Sequence, residues 1–186
     1  MTAIAQVLPK PSSLMVEGLT VLSGSLFIAL MAQCSLPIGP VPITFQTFAV
    51  LLIGGVLGSK RGALAVLAYL CEGSLGLPFF FSGHGGLLHL MGPTGGYLLG
   101  FVLAAFFVGT LIERGGRDRY ILTLLAMAFG SAIITLFGSL WLSNFIGREG
   151  ALTLGVYPFL FGDVIKVVAA ATLLPVGHKL LTQSQA

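Results

Sequence analysis

Long apolar segments follow one another along the chain, separated by short stretches rich in glycine, proline and charged residues. Because the hydrocarbon core of a bilayer is about 30 Å thick, a helix needs roughly 20 mainly apolar residues to cross it. The pattern predicts six such spans, at residues 19–36, 43–57, 63–75, 96–112, 120–142 and 156–174. We therefore expect an all-α integral membrane protein with six transmembrane helices, which form a single membrane domain over residues 1–186.

Helix-breaking residues mark the connections between the predicted spans. Three prolines lie within residues 37–42 and exclude a helix there. A Gly-rich connection occupies residues 76–95, residues 143–155 form the next loop, and Pro175 and Gly177 close the last span. With six spans, the three irregular loops all lie on the side opposite the termini.

Composition places the chain in a lipid environment. Of its 186 residues, 56% are hydrophobic and 8% are charged, and its mean hydropathy is +1.02. Soluble domains contain about 25% charged residues, so the protein is not a soluble globular domain.

Basic residues indicate the orientation of the spans. Those that fall on the same side as the termini are Lys10, Lys60, Arg61, Arg114, Arg117, Arg119 and Lys179. The opposite loops contain only Arg148. The positive-inside rule therefore predicts that both termini are cytoplasmic. The net charge of +3 follows from this distribution and does not indicate a nucleic-acid surface, although the cluster at 114–119 also suits a cytoplasmic protein partner.

Asp163 and Lys166 are the most unusual residues of the predicted spans. Charged groups at the bilayer centre cost roughly 2.5–3.5 kcal/mol on insertion scales, and they usually face a cavity or a partner. Their i,i+3 spacing puts both side chains on one face of a helix, where they can contact the same object. We interpret the pair as a binding site for a small polar solute. The alternative is a self-neutralising pair that holds the last helix against its neighbours.

Sequence motifs for catalysis are missing. The chain contains no G-x-x-x-x-G-K-[ST] segment for ATP, no H-E-x-x-H and no G-x-S-x-G. His84 and His89 lie in the Gly-rich connection without a nearby carboxylate or cysteine, which disfavours a metal site. We expect neither an enzyme nor a protein with a bound cofactor.

Four sequence segments carry a resemblance to a known family. They are residues 36–47 (LPIGPVPITFQT), 73–78 (GSLGLP), 92–97 (GPTGGY) and 162–166 (GDVIK). In this order they resemble the biotin-specific substrate-capture subunits, or S components, of energy-coupling factor (ECF) transporters. The resemblance implies that the protein binds biotin from outside a bacterial-type cytoplasmic membrane. It also implies a transmembrane coupling subunit and two cytoplasmic ATPases as partners.

Biotin chemistry then suggests roles for particular residues. An ionised Asp163 can accept a hydrogen bond from a ureido N–H, and Lys166 can donate to the ureido carbonyl. Tyr97, with Phe45 or Trp141, offers a flat surface for the ring. The tail carboxylate can be bound by backbone N–H groups of Gly83 to Gly86 or by the start of the fourth helix.

Other features keep alternatives open. Thr94 and Asn144 are further candidates for substrate contacts, and Glu72 is an intramembrane acid with no assigned role. The family's docking motif in the first span is small-x-x-x-small, but Gln33 follows Ala29, so the match shifts to Ser25 and Ala29. The competing functions are a capture subunit for another vitamin, such as thiamine or riboflavin, and a self-sufficient secondary transporter or channel.

Overall fold

The structure, a computed structural model, describes residues 13–116 and 119–184. Within these ranges the chain is mainly helical. The α-helices are α1 Ser13–Gln33, α2 Gln46–Leu57, α3 Ser59–Ser74, α4 Leu87–Met91, α5 Gly95–Leu111, α6 Tyr120–Gly155 and α7 Tyr157–Ser184. A 3₁₀ turn, Phe81–Gly83, precedes α4, and a π-helical turn, Ile112–Gly116, follows α5.

The proline-rich loop forms a small hairpin. Strands β1 Ser35–Leu36 and β2 Ile43–Thr44 pair antiparallel on either side of the three prolines. Helix α1 therefore ends at Gln33, three residues before the predicted end of the first span. Prolines lack the backbone N–H that a helix needs, so the chain turns back here and the N–H of Phe45 donates to the carbonyl of Cys34.

A single residue, Gly58, separates α2 from α3. Its φ of 83° is a left-handed conformation that glycine adopts without strain. Glu113 then caps α3: the Ser59 N–H donates to its Oε1 over 2.8 Å, and the Ser59 hydroxyl donates to its Oε2 over 2.9 Å. Because a negative charge is favourable at a helix N-terminus, α3 begins at Ser59 and residues 59–62 are helical rather than a loop.

Two predicted boundaries near the C-terminus are wrong. Residues 143–155, expected as a loop, continue α6 and are interrupted only at Gly147, whose φ is 75°. The polar side chain of Asn144 donates back to the carbonyls of Leu140 and Trp141, so it does not disrupt the helix. Helix α7 also continues past Pro175. Proline is more frequent in transmembrane helices than in soluble ones.

Helix α5 lies at the centre of the helix packing. It packs against α2, α3 and α6, and 61% of its apolar segment is buried, compared with 22% for α1. Glycine permits the closest contact: a Cβ at Gly54 of α2 would lie 2.7 Å from the carbonyl oxygen of Ala105. Gly54 thus lets the backbones of α2 and α5 approach closely, as small residues do between membrane helices.

The small residues of α1 also face inward. Ser25 is fully buried, and its hydroxyl donates to the carboxylate of Glu72 on α3; Ala29 is 5% exposed. The expectation that Ser25 and Ala29 offer a docking surface is therefore wrong, because both pack inside the protein. The same contact gives Glu72 a structural partner.

Membrane-spanning helices are supported by length and composition. Among the described residues, four segments are long and apolar enough to cross a bilayer: Leu14–Gln33, Gly95–Gly115, Tyr120–Gly155 and Tyr157–Val176. The remaining two predicted spans correspond to α2 and α3, which have 12 and 16 residues. The protein is thus a helical multi-pass membrane protein.

Candidate solute-binding site

A cavity lies among the hairpin, the loop before α5 and the helices α5, α6 and α7. Its lining residues are Val41, Pro42, Thr44, Gln46, Thr47, Phe80, Phe81, His89, Thr94, Tyr97, Leu98, Phe101, Ile134, Thr135, Phe159, Asp163 and Lys166. Most of these side chains are apolar or aromatic, and a few convergent polar groups stand among them. This is the usual composition of a small-molecule site.

The charged pair lines one wall of this cavity. Nζ of Lys166 lies 3.4 Å from Oδ1 of Asp163 within α7, and the two side chains are 6% and 13% exposed. The Ser131 hydroxyl of α6 donates to Oδ2 of Asp163 over 3.1 Å. Thr135, one turn further along α6, lines the same cavity. The carboxylate is therefore held from two helices.

Aromatic rings form the next wall. Tyr97 of α5 lies 6.0 Å from Phe159 of α7, measured between ring centroids. The hydroxyl of Tyr97 donates to the carbonyl of Gly155 over 2.6 Å. This bond fixes the ring, so that its face remains available to the cavity.

Polar residues at the end of the hairpin and the start of α2 form a second polar group. The Thr44 hydroxyl donates to Oε1 of Gln46 over 3.0 Å, and Nε2 of Gln46 donates to the hydroxyl of Tyr69 on α3. The Thr47 hydroxyl is buried and has no hydrogen-bond partner among the described residues. A buried hydroxyl without a partner is costly, so Thr47 is a candidate for contact with a solute.

The loop between α3 and α5 contributes an aromatic cluster. The ring of Phe80 stacks on His89 with centroids 5.0 Å apart, and His89 stacks on His84 at 5.4 Å. Burial, followed by the neighbouring His84, lowers the pKa of His89 below its usual range. A neutral His89 therefore presents a ring to the cavity rather than a charge. Among residues 13–116 and 119–184, no three His, Cys, Asp or Glu residues are grouped to hold a metal ion.

Four of the residues proposed from the sequence line the cavity: Asp163, Lys166, Tyr97 and Thr94. The structure does not bring the other four to it. Phe45 is 52% exposed, and the amide of Asn144 donates to carbonyls of its own helix. The Gly83 N–H donates to Oε1 of Gln33, and the Gly86 N–H donates to the carbonyl of Gly73, so both N–H groups are occupied.

Trp141, the alternative to Phe45, holds a loop instead of lining the cavity. Its indole N–H donates to the carbonyl of Gly92 over 2.9 Å. This bond attaches α6 to the residues just before α5.

Sequence reasoning missed several lining residues. Three of them, Thr44, Gln46 and Thr47, belong to the segment 36–47 that carries the family resemblance. Their polar side chains at the edge of an apolar span could have identified them as candidates for the site. Thr135 of the cavity wall and Ser131, which bonds to Asp163, had a signal as well. Their i,i+4 spacing places two hydroxyls on one face of an apolar helix. No comparable signal distinguished Phe80 among the chain's 14 phenylalanines.

The fold and the cavity together define a helical membrane protein with a binding site for a small solute. The chain belongs to the BioY family, whose model matches residues 9–183. It is 43% identical over 152 residues to the probable biotin transporter BioY of Pyrococcus horikoshii, which covers 80% of this chain and 90% of that protein. It is 40% identical over 156 residues to the biotin transporter BioY of Thermotoga maritima, with 82% and 91% covered.

A solved structure has the same fold. The crystal structure at 2.1 Å of the S component for biotin from an ECF-type ABC transporter matches with a TM-score of 0.82 and 28% sequence identity. The match covers 92% of this chain and 95% of that chain. The similarity thus extends over most of the chain.

Proposed function

We propose that this protein is the biotin-binding S component of an ECF transporter, and that the described cavity is its biotin site. The observation that carries the proposal is the buried Asp163–Lys166 pair on the wall of an aromatic-lined cavity. Membership of the BioY family and similarity to a biotin S component support the choice of ligand.

The ureido group of biotin suits the charged pair. The carboxylate of Asp163 accepts from a ureido N–H, and Nζ of Lys166 donates to the ureido carbonyl. An analogue without the N–H would leave carboxylate lone pairs unsatisfied in a dry site, so the pair also supplies selectivity.

The bicyclic ring and the tail occupy the rest of the cavity. Tyr97 and Phe159 provide apolar faces for the ring. The tail carboxylate lies at the N-terminus of α5 beside Thr94, where the helix dipole favours an anion. The N–H groups of Gly83 and Gly86 already have partners, as do those of Gly95 and Tyr97 in the first turn of α5. The placement therefore rests on the helix dipole and on the Thr94 side chain in the cavity wall.

The membrane arrangement comprises six spans, namely α1, α2, α3, α5, α6 and α7, with α4 in the outer loop. Basic side chains at one end support cytoplasmic termini: Arg61 pairs with Glu17 over 2.7 Å, which joins the start of α3 to the start of α1. Lys60, Arg114 and Arg119 follow the same pattern in the sequence. Lys10 and Arg117 lie outside the described residues, as does the side chain of Lys179.

The energy for uptake comes from other subunits. The chain lacks an ATP-binding motif. Its similarity to an S component of an ECF-type transporter implies that a transmembrane coupling subunit and two cytoplasmic ATPases drive release of biotin into the cell. The protein itself binds biotin as a solute in the cytoplasmic membrane, without catalysis and without a cofactor.

The test is a ligand panel on the purified protein in detergent. Biotin should raise the melting temperature, whereas thiamine and riboflavin should not. A shift with another vitamin and none with biotin would overturn the assignment.

A second experiment addresses transport by the chain alone. Liposomes containing only this protein should bind biotin without accumulating it. Accumulation against a gradient would favour a self-sufficient transporter.

A further inference from the structure

Gln33, the last residue of α1, uses both ends of its side-chain amide to hold the loop before α4. Its Nε2 lies 3.1 Å from the carbonyl oxygen of Ala29 in α1, and 3.3 Å and 3.2 Å from the carbonyl oxygens of Pro78 and Phe80 in the loop. Its Oε1 accepts the N–H of Gly83 over 2.9 Å. One side chain therefore connects a membrane helix to both ends of the segment 78–83.

This segment places an aromatic ring in the cavity wall. Phe80 is fully buried, lines the cavity, and contacts Tyr69 edge to face with centroids 5.6 Å apart. Its position is specified closely: a Cβ at Gly73 would lie 2.5 Å from the ring. A displacement of the loop would therefore move part of the wall that surrounds a bound solute.

Apart from the 3₁₀ turn Phe81–Gly83 and a few backbone bonds such as Phe80 N–H to the carbonyl of His84, the backbone of this loop is irregular. Gly76, Gly83 and Gly86 have φ between 74° and 104°, and Ser82 has a φ of 52°, which is unusual for a residue other than glycine. Because fixing irregular backbone costs conformational entropy, the loop depends on specific bonds from outside. Gln33 supplies bonds to the loop from α1.

We propose that Gln33 is a positioning residue that holds Phe80 against the cavity and thereby slows the dissociation of biotin. The proposal rests on the function proposed above. It also accounts for the departure from small-x-x-x-small spacing after Ala29, since an amide is required at position 33. A leucine would supply neither end of the amide, and a glutamate would set a carboxylate against backbone carbonyls.

The first experiment compares Gln33→Ala with Leu30→Ala as the matched control. Leu30 lies almost one turn earlier in α1 and is 63% exposed. Each full-length protein is loaded with tritiated biotin in nanodiscs, and dissociation is followed after excess unlabelled biotin is added. We expect dissociation to be about tenfold faster in Gln33→Ala, as the loss of one or two hydrogen bonds implies. Leu30→Ala should match the parent protein.

The second experiment restores the connection by another bond. The hydroxyl oxygens of Ser35 and Ser82 are 3.4 Å apart, so cysteines at both positions can form a disulfide between the hairpin and the loop. Gln33→Ala with Ser35→Cys and Ser82→Cys, in a background where Cys34 and Cys71 are serine, should dissociate slowly when oxidised and rapidly after reduction. If Gln33→Ala folds poorly on its own, the triple variant is purified in the oxidised form, so that the comparison before and after reduction can still be made.

The outcomes separate this proposal from the function on which it rests. If the parent binds biotin but Gln33→Ala dissociates at the parental rate, or oxidation fails to slow dissociation, the role of Gln33 is wrong. If the parent does not bind biotin, the proposed function fails and this inference fails with it. Hydrogen exchange of residues 78–86 without biotin, expected to be faster in Gln33→Ala, reports separately whether Gln33 holds the loop.

Discussion

Nζ of Lys166 lies 3.4 Å from Oδ1 of Asp163, although both side chains are almost fully buried. Charge-assisted N–H···O bonds are usually 2.7–2.9 Å long, so the two groups do not form a tight pair. The long distance leaves both groups with hydrogen-bonding capacity toward the cavity. A solute with adjacent donors and acceptors, such as a ureido group, can bond to both.

Asp163→Asn should weaken biotin binding at least about tenfold, because a hydrogen bond to a charged acceptor is replaced by one to a neutral amide. Isothermal titration in detergent measures the affinity. Glu149→Gln, an exposed change of the same kind on α6, is the control and should leave the affinity unchanged. Equal affinities for Asp163→Asn and the parent would remove Asp163 from the site.

Lys166→Met should lower the thermal stability of the ligand-free protein, because it leaves the Asp163 carboxylate buried without its cation. Breaking a buried pair in this way typically costs about 3–5 kcal/mol. Adding Asp163→Asn to Lys166→Met should restore much of the stability without restoring biotin binding. A double variant that still binds biotin would show that the pair is structural only.

Ser131→Ala should reduce biotin affinity severalfold, since the Asp163 carboxylate loses a donor that fixes its orientation. Ser139→Ala is the control on the same helix, because its hydroxyl donates only to the carbonyl of Leu136. Both affinities are measured by the same titration. An equal effect of the two changes would argue against a positioning role for Ser131.

The sequence predicted the charged pair and the helical membrane architecture, because both depend on local patterns. The cost of charge in an apolar segment identifies Asp163 and Lys166 without any knowledge of their neighbours. The i,i+3 spacing then predicts that they share a face, as the structure confirms.

Other parts of the site depend on contacts between distant segments. Phe80 reaches the cavity because Gly73 leaves space for its ring and Gln33 holds its loop, and neither relation is visible in a local pattern. The sequence predicts that the Gly83 N–H can bind an anion, but in the structure this group donates to Gln33, 50 residues earlier. The end of α6 was predicted too early, at residue 142. The helix is interrupted at Gly147 but continues to Gly155.

Thr47→Val should raise the melting temperature of the ligand-free protein and weaken biotin binding about two- to tenfold. The valine keeps the shape of threonine and removes a buried hydroxyl without a partner among the described residues, which costs roughly 1–3 kcal/mol when unsatisfied. If that hydroxyl bonds to biotin, the bound state loses a hydrogen bond, so the stability and affinity effects have opposite signs. Thr110→Val, where the hydroxyl is exposed and bonded to Phe106, serves as the control and should change neither quantity appreciably. Higher stability with unchanged affinity would mean that Thr47 does not contact biotin.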